Sequence, residues 1–268
     1  RIPQPNVCEL VPEHLRAELM QYETGRIRFQ WEPEPLSRQA LCQRVQASLG
    51  PRLLILNTVQ SAAVFASDLC DAYGREAVEH LSTALTAADR AAASERIKKR
   101  LQDQTDTDWT LVATSCVEAG VDFSFRTGFR EVSSLLSLLQ AAGRVNRHGT
   151  ESEAEMWSFR LKDDSMLRPN KALHIEQEVL QRYFMKRMEI TPELSTVFLN
   201  DVLAQDGSCL QKISSLLQKE ENLEFADIEE KFKVIEENTV LAVVDEALAK
   251  RILFGKADWT ELQKNSVS

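Results

Sequence analysis

Two hydrophobic rhythms alternate along the chain. Short apolar runs at residues 53–56, 77–81 and 110–113 read as buried strands, and between them lie stretches at 59–73 and 87–102 whose apolar residues recur every three to four positions. Strand and helix alternating at this spacing predict βαβ units, and so a parallel sheet flanked by helices. The rhythm continues with a helix from Ser133 to about Asn146 and an alternating strand over 154–161. Ahead of it, residues 1–52 hold six of the eight prolines, a strand-like patch at 26–31 and a helical stretch at 37–49. Behind it the character changes to helices at 172–188 and 209–217, then one or two strands at 232–244. The expected organisation is a lead-in arm or linker over 1–52, an α/β domain over 53–161, and a smaller mixed, mainly helical region over 162–268.

Composition narrows the classes. With 43% apolar residues the chain can build a core, and no apolar run approaches the length of a membrane span. A net charge of −9 argues against binding nucleic acid through an overall field, while leaving room for a local groove. Five scattered cysteines with no C-x-x-C pair, and four isolated histidines, point to neither a disulfide framework nor a metal site; a reducing cytoplasm is the expected location. The opening Arg1-Ile2-Pro3-Gln4-Pro5 has neither an initiator Met nor a signal pattern, and reads as the interior of a longer chain.

The chemistry concentrates in two segments. Gln140, Arg144 and Arg147 stand at i, i+4 and i+7, which on a helix aims both guanidiniums from one face, and Gly143 in mid-helix suggests a close backbone approach. Thr114 to Asp122 is a small polar loop after a strand, where open α/β sheets bind ligands. Thr114 and Ser115 suit phosphate contacts or a helix cap. Gly120 permits a tight turn, and Asp122 suits a ribose hydroxyl or a turn cap. Upstream, Asn57, Thr58, Ser82 and Thr83 end strands and carry groups that fit a sugar-phosphate backbone, whereas Thr86 reads as a plain N-cap. The cations over 90–100 read first as a solvated helix face and second as a DNA track, and Phe123 and Phe125 as core.

Residues 139–149, LQAAGRVNRHG, resemble motif VI of helicase superfamily two, and the Arg-Val-Asn-Arg ending resembles the CRISPR-associated helicases of type I interference systems. Residues 110–122 resemble motif V, and 54–62 and 80–90 resemble the family's preceding strand-and-turn segments. The similarity continues into 224–244, and 259–268 looks like an accessory C-terminal domain cut short. The resemblance implies the second RecA-like domain of an ATP-dependent single-stranded DNA helicase and translocase. In it Arg147 is the arginine finger, Arg144 its companion and Gln140 part of the same catalytic set. Gly120 and Asp122 lie at the ATP, and Asn57, Thr58, Ser82, Thr83, Thr114 and Ser115 on the DNA. No G-x-x-x-x-G-K-[ST] loop is present, so ATP and Mg²⁺ are expected mainly on a first RecA-like domain outside this chain, which alone should be inactive. The implied partners are that domain, the nuclease domain, single-stranded DNA and a crRNA-guided surveillance complex. Two rivals remain open: a non-enzymatic RecA-like interaction module, and half of an RNA helicase or remodeller. The Walker-B-like run at 241–248 comes after motif VI and reads instead as a helix start at Asp245 and Glu246.

Overall fold

The structure, a computed structural model, describes residues 11–151, 153–205, 207–231, 242–243, 245–254, 260 and 266–267. Helix α1 (Glu13–Arg26) leads into β1 (Arg28–Trp31), α2 (Arg38–Ala47) and β2 (Arg52–Ile55). Then α3 (Val59–Tyr73), β3 (Val78–Leu81), α4 (Ala87–Gln102), β4 (Thr110–Ala113), β5 (Thr127–Glu131), α5 (Leu135–Ala142) and β6 (Glu155–Phe159) complete the α/β unit. The six strands form one parallel sheet in the order β1-β6-β5-β2-β4-β3, the RecA-like arrangement that the motifs imply.

The sheet is a sandwich filling because alternate side chains leave it on opposite faces. Leu54 and Leu56 join Val112, Phe129 and Phe159 under Leu41 and Val45 of α2 and Phe65 and Leu69 of α3. Leu53, Ile55, Leu111 and Ala113 face the other way, against Ile97 of α4 and Leu135, Leu138 and Ala141 of α5. Phe123 and Phe125 are fully buried here, meeting edge to face at 6.1 Å, so they belong to the core as read. Helix starts are fixed by side-chain caps: Thr58, Thr86 and Ser134 accept from the amides of Ser61, Asp89 and Ser137.

Three features depart from the sequence expectation. Strand β5 was not expected at all, yet it lies between β2 and β6. The segment read as an arm supplies the edge strand β1 and the packed helix α2. The helix expected over 133–146 ends at Ala142, with Gly143 as its C-cap, and an added Cβ on Gly143 would meet only its own helix's carbonyls. The basic stretch on α4 is largely neutralised by its neighbours: Arg96 is forked onto Glu79, Arg100 onto Asp106, and Lys98 onto Glu95.

Beyond the sheet come α6 (His174–Met185), α7 (Leu194–Gln205), α8 (Gly207–Glu221) and α9 (Phe225–Lys231), then β7 (Ala242–Val243), α10 (Glu246–Leu253) and β8 (Ser266–Val267). Helix α6 seals the sheet with Val179, Leu180 and Tyr183. Asp245 caps α10 by accepting from Leu248, as a helix start should. Most of the strand expected at 232–244 lies outside the described residues, apart from β7. Among the described residues no helix is long and apolar enough to cross a membrane.

Candidate functional site

The loops at the carboxyl ends of β2, β3 and β4, together with the turn after α5, form the site. After β4, Thr114 donates its amide to Leu81 O, which ties this loop to the end of β3. The chain then makes one tight turn and passes Gly120, whose φ of +76° is a left-handed conformation that glycine adopts without strain. A Cβ at Gly120 would meet nothing within 4 Å, so its outer face is open.

The second arm arrives by backbone pairing. Phe125 N donates to Arg144 O at 2.8 Å and Asn146 N donates to Phe125 O at 2.7 Å, laying residues 144–146 beside the segment that follows Asp122. Asn146 takes φ +43°, which asparagine tolerates, and its side chain bonds Arg26 O, Glu151 O and Glu151 N. This pinned turn aims the residue after it. Arg147 is 41% exposed, and its Nε lies 2.8 Å from Asp122 Oδ1, itself 73% exposed.

Arg144 and Arg147 therefore do not share a helix face with Gln140; only Gln140, which is exposed, sits on α5. Their roles separate as well. Arg144 is half-buried and donates from Nε and Nη2 to the carbonyls of Val117 and Glu118, so it braces the loop opposite. Burial, then the nearby Arg147 charge, holds the Arg144 guanidinium below its ordinary pKa, with Asp122 opposing. Arg147 is the outward-facing member of the pair.

The residues matched to the DNA side divide in the same way. Thr83 and Ser115 are exposed. Thr58 is engaged as the α3 cap and reaches Arg168 O. Thr114 is buried, with an Oγ1 that has no hydrogen-bond partner. Ser82 is fully buried with its hydroxyl 3.0 Å from His80, so it shapes its loop and has no free side chain to offer. Asn57 is likewise consumed: Nδ2 donates to Val132 O, Oδ1 accepts from Arg130, and its amide donates to Glu131.

That last contact opens onto a network that the sequence reading missed. Buried Arg130 of β5 pairs with Glu118 at 2.9 Å, and both bond Ser137 of α5. One guanidinium thus joins the loop after β2, the loop after β4 and the helix that carries Gln140. Among the described residues no cluster of three or more His, Cys, Asp and Glu stands ready for a metal.

Against known proteins, residues 49–150 match the family model described as CRISPR-associated nuclease/helicase Cas3, C-terminal. A 43-residue stretch is 44% identical to the CRISPR-associated nuclease/helicase Cas3 of Haloferax volcanii, covering 16% of this chain and 5% of that protein. The fold is similar to that of T. fusca Cas3 with AMPPNP, with a TM-score of 0.54 at 16% identity, covering 72% of this chain and 26% of that one. It also resembles a chain of a CRISPR RNA-guided surveillance complex in a pre-nicking state, with a TM-score of 0.51 at 16% identity, covering 72% and 27%. The chain spans about a quarter of those structures and a small fraction of the curated relative.

Proposed function

We propose that the chain, whose residues 49–150 match the family model described as CRISPR-associated nuclease/helicase Cas3, C-terminal, acts as the second motor domain of an ATP-dependent single-stranded DNA helicase in CRISPR interference. Its own residues supply one wall of the nucleotide cleft, and a first RecA-like domain supplies the P-loop and the Mg²⁺ site. The donor set fits that division, since the wall offers guanidiniums, an open glycine and one aspartate.

The observation that carries the proposal is the Arg147–Asp122 pair. An exposed ion pair of this kind is worth at most about 1 kcal/mol, so Arg147 can leave Asp122 at little cost when a more strongly charged anion arrives. Bound ATP supplies the phosphoryl group that is transferred to water. Arg147 then places a permanent, bidentate positive charge where negative charge develops, and Asp122 is freed to accept from a ribose hydroxyl past the open face of Gly120. Arg144 holds the loop after β4 in register while this happens, and exposed Gln140 lies on the last turn of α5. Thr83 and Ser115 offer exposed hydroxyls on the strand-end side for the DNA backbone, with Asn57, Thr58, Ser82 and Thr114 setting the shapes of their loops. Domain closure and reopening around the nucleotide would move the strand past these loops.

The wider assembly follows the family: the nuclease domain of the same protein and a crRNA-guided surveillance complex as partners, in the cytoplasm. The decisive experiment adds the first RecA-like domain and measures DNA-stimulated ATPase. Arg147→Ala should lower turnover by about 10³ to 10⁵, the range seen for arginine fingers. Undiminished turnover would remove Arg147 from the reaction, and a motor stimulated by RNA in preference to DNA would overturn the substrate.

A further inference from the structure

At the carboxyl ends of β5 and β6, between the connection after β6 and helix α6, lies a cavity of about 440 Å³. Its walls include Glu131, Lys162, Arg168, Asn170, Gln177 and Gln181. The connection is pinned beside the DNA-side loops: Thr58 Oγ1 donates to Arg168 O at 3.2 Å, and Gln60 Nε2 donates to Met166 O at 2.7 Å. Arg168 is thereby fixed next to the start of α3.

The charges around the cavity are unequally committed. In a chain of net charge −9 most of the described arginines are paired, yet the side chains of Lys162 and Arg168 have no hydrogen bond or ion pair among the described residues, and both are exposed. The carboxylates nearby are mostly occupied. Asp164 accepts from Met166 N and lies 3.7 Å from Arg38, and Glu131 accepts from Asn57 N. Asp163 is exposed and screened by solvent. Gln177 spends its amide group on Val132 O, leaving its carbonyl oxygen for the cavity, and Gln181 is uncommitted among the described residues.

We propose that this cavity is a subsite for one nucleotide of single-stranded DNA, with a phosphate held between Lys162 and Arg168 and the base lodged against Gln177, Gln181 and Glu131. The volume suits a small planar group, and a floor of amides with one carboxyl presents both donors and acceptors to a base edge. Burial holds the Glu131 carboxyl above its usual range, which lessens repulsion of a strand of phosphates. The subsite rests on the DNA-motor reading and extends it, because it continues the path of the strand beyond Thr58, toward the β6 side of the sheet.

The test is fluorescence anisotropy with a labelled mixed-sequence single strand over a series of salt concentrations. Each phosphate contact on a single strand contributes about 0.7 to the slope of log affinity against log salt. Loss of the one phosphate held between them should therefore make the slope of the double variant K162A/R168A shallower by about 0.7, whereas R75A/K186A, which removes the same charge elsewhere, should keep the parent slope. An unchanged slope in K162A/R168A, or an equal fall in both variants, overturns the subsite while leaving the motor reading intact. Absence of strand binding by the unsubstituted protein overturns both.

Discussion

Arg130 of β5 meets Glu118 at 2.9 Å inside the domain, with 3% and 7% of the two side chains exposed. Burial pushes the Glu118 carboxyl up and the Arg130 guanidinium down against their mutual attraction, so desolvation dominates at this pair. Removing one partner strands the other charge. Arg130→Met should cost about 3–5 kcal/mol in denaturant unfolding, and adding Glu118→Leu should recover part of it. A double variant no more stable than the single one would show that the pair is not the source of the loss.

The two arginines of the turn should separate under mutation even without nucleotide. Arg147→Ala removes an exposed ion pair and should change stability by less than about 1 kcal/mol. Arg144→Ala removes charged donors from two carbonyls and should cost about 1.5–3 kcal/mol. Thermal unfolding of the two variants decides this; the reverse order would mean that Arg147 is the brace.

Much of the fold was legible in the sequence because its signals are local. The period of α4, its Thr86 cap and the apolar runs of β2 and β4 each lie within a short window, and the structure places them where the pattern does. Strand β5 was invisible for the opposite reason. Thr127, Gly128, Arg130 and Glu131 break up any apolar run, and Arg130 is admissible in an interior through Glu118 and Asn57, distant in sequence, together with Ser137. The end of α5 failed similarly: Gly143 is a C-cap, and residues 144–147 follow a path set by pairing with Phe125, which no helical period contains. The motif residues were legible as a set. Which of them face outward was not, because Asn57 and Ser82 turn inward to partners chosen by tertiary contact.

Gly128 tests the packing of that hidden strand. A Cβ there would lie 2.5 Å from Met156 Sδ and 2.6 Å from Val145 Cγ2, and both neighbours are fully buried. Gly128→Ala should cost about 1–3 kcal/mol by overpacking, read from the midpoint of urea unfolding. A neutral or stabilising result would mean that Met156 and Val145 have room to move.

Tyr183 provides a pH signature for the α6–α7 junction. Its hydroxyl donates to Asp201 at 2.8 Å, and burial first, then this bond, raises its pKa from 10.0 to about 12. An acid whose pKa is higher folded than unfolded stabilises fully below the unfolded value and loses that contribution as pH rises through the folded one. Melting temperature should therefore fall between pH 10 and 12, and less steeply in Tyr183→Phe. Identical slopes would show that the phenol is indifferent to folding.

The sheet begins and ends on the same side: among the described residues its first strand, β1, pairs only with its last, β6, along Arg28 to Trp31 and Glu155 to Ser158. During synthesis, residues 28–31 must wait unpaired until the ribosome has delivered residue 159, more than a hundred residues later. Assembly of this lobe is thus tied to completion of the whole unit, and a truncation at residue 150 would strip the ladder from both β1 and one side of β5.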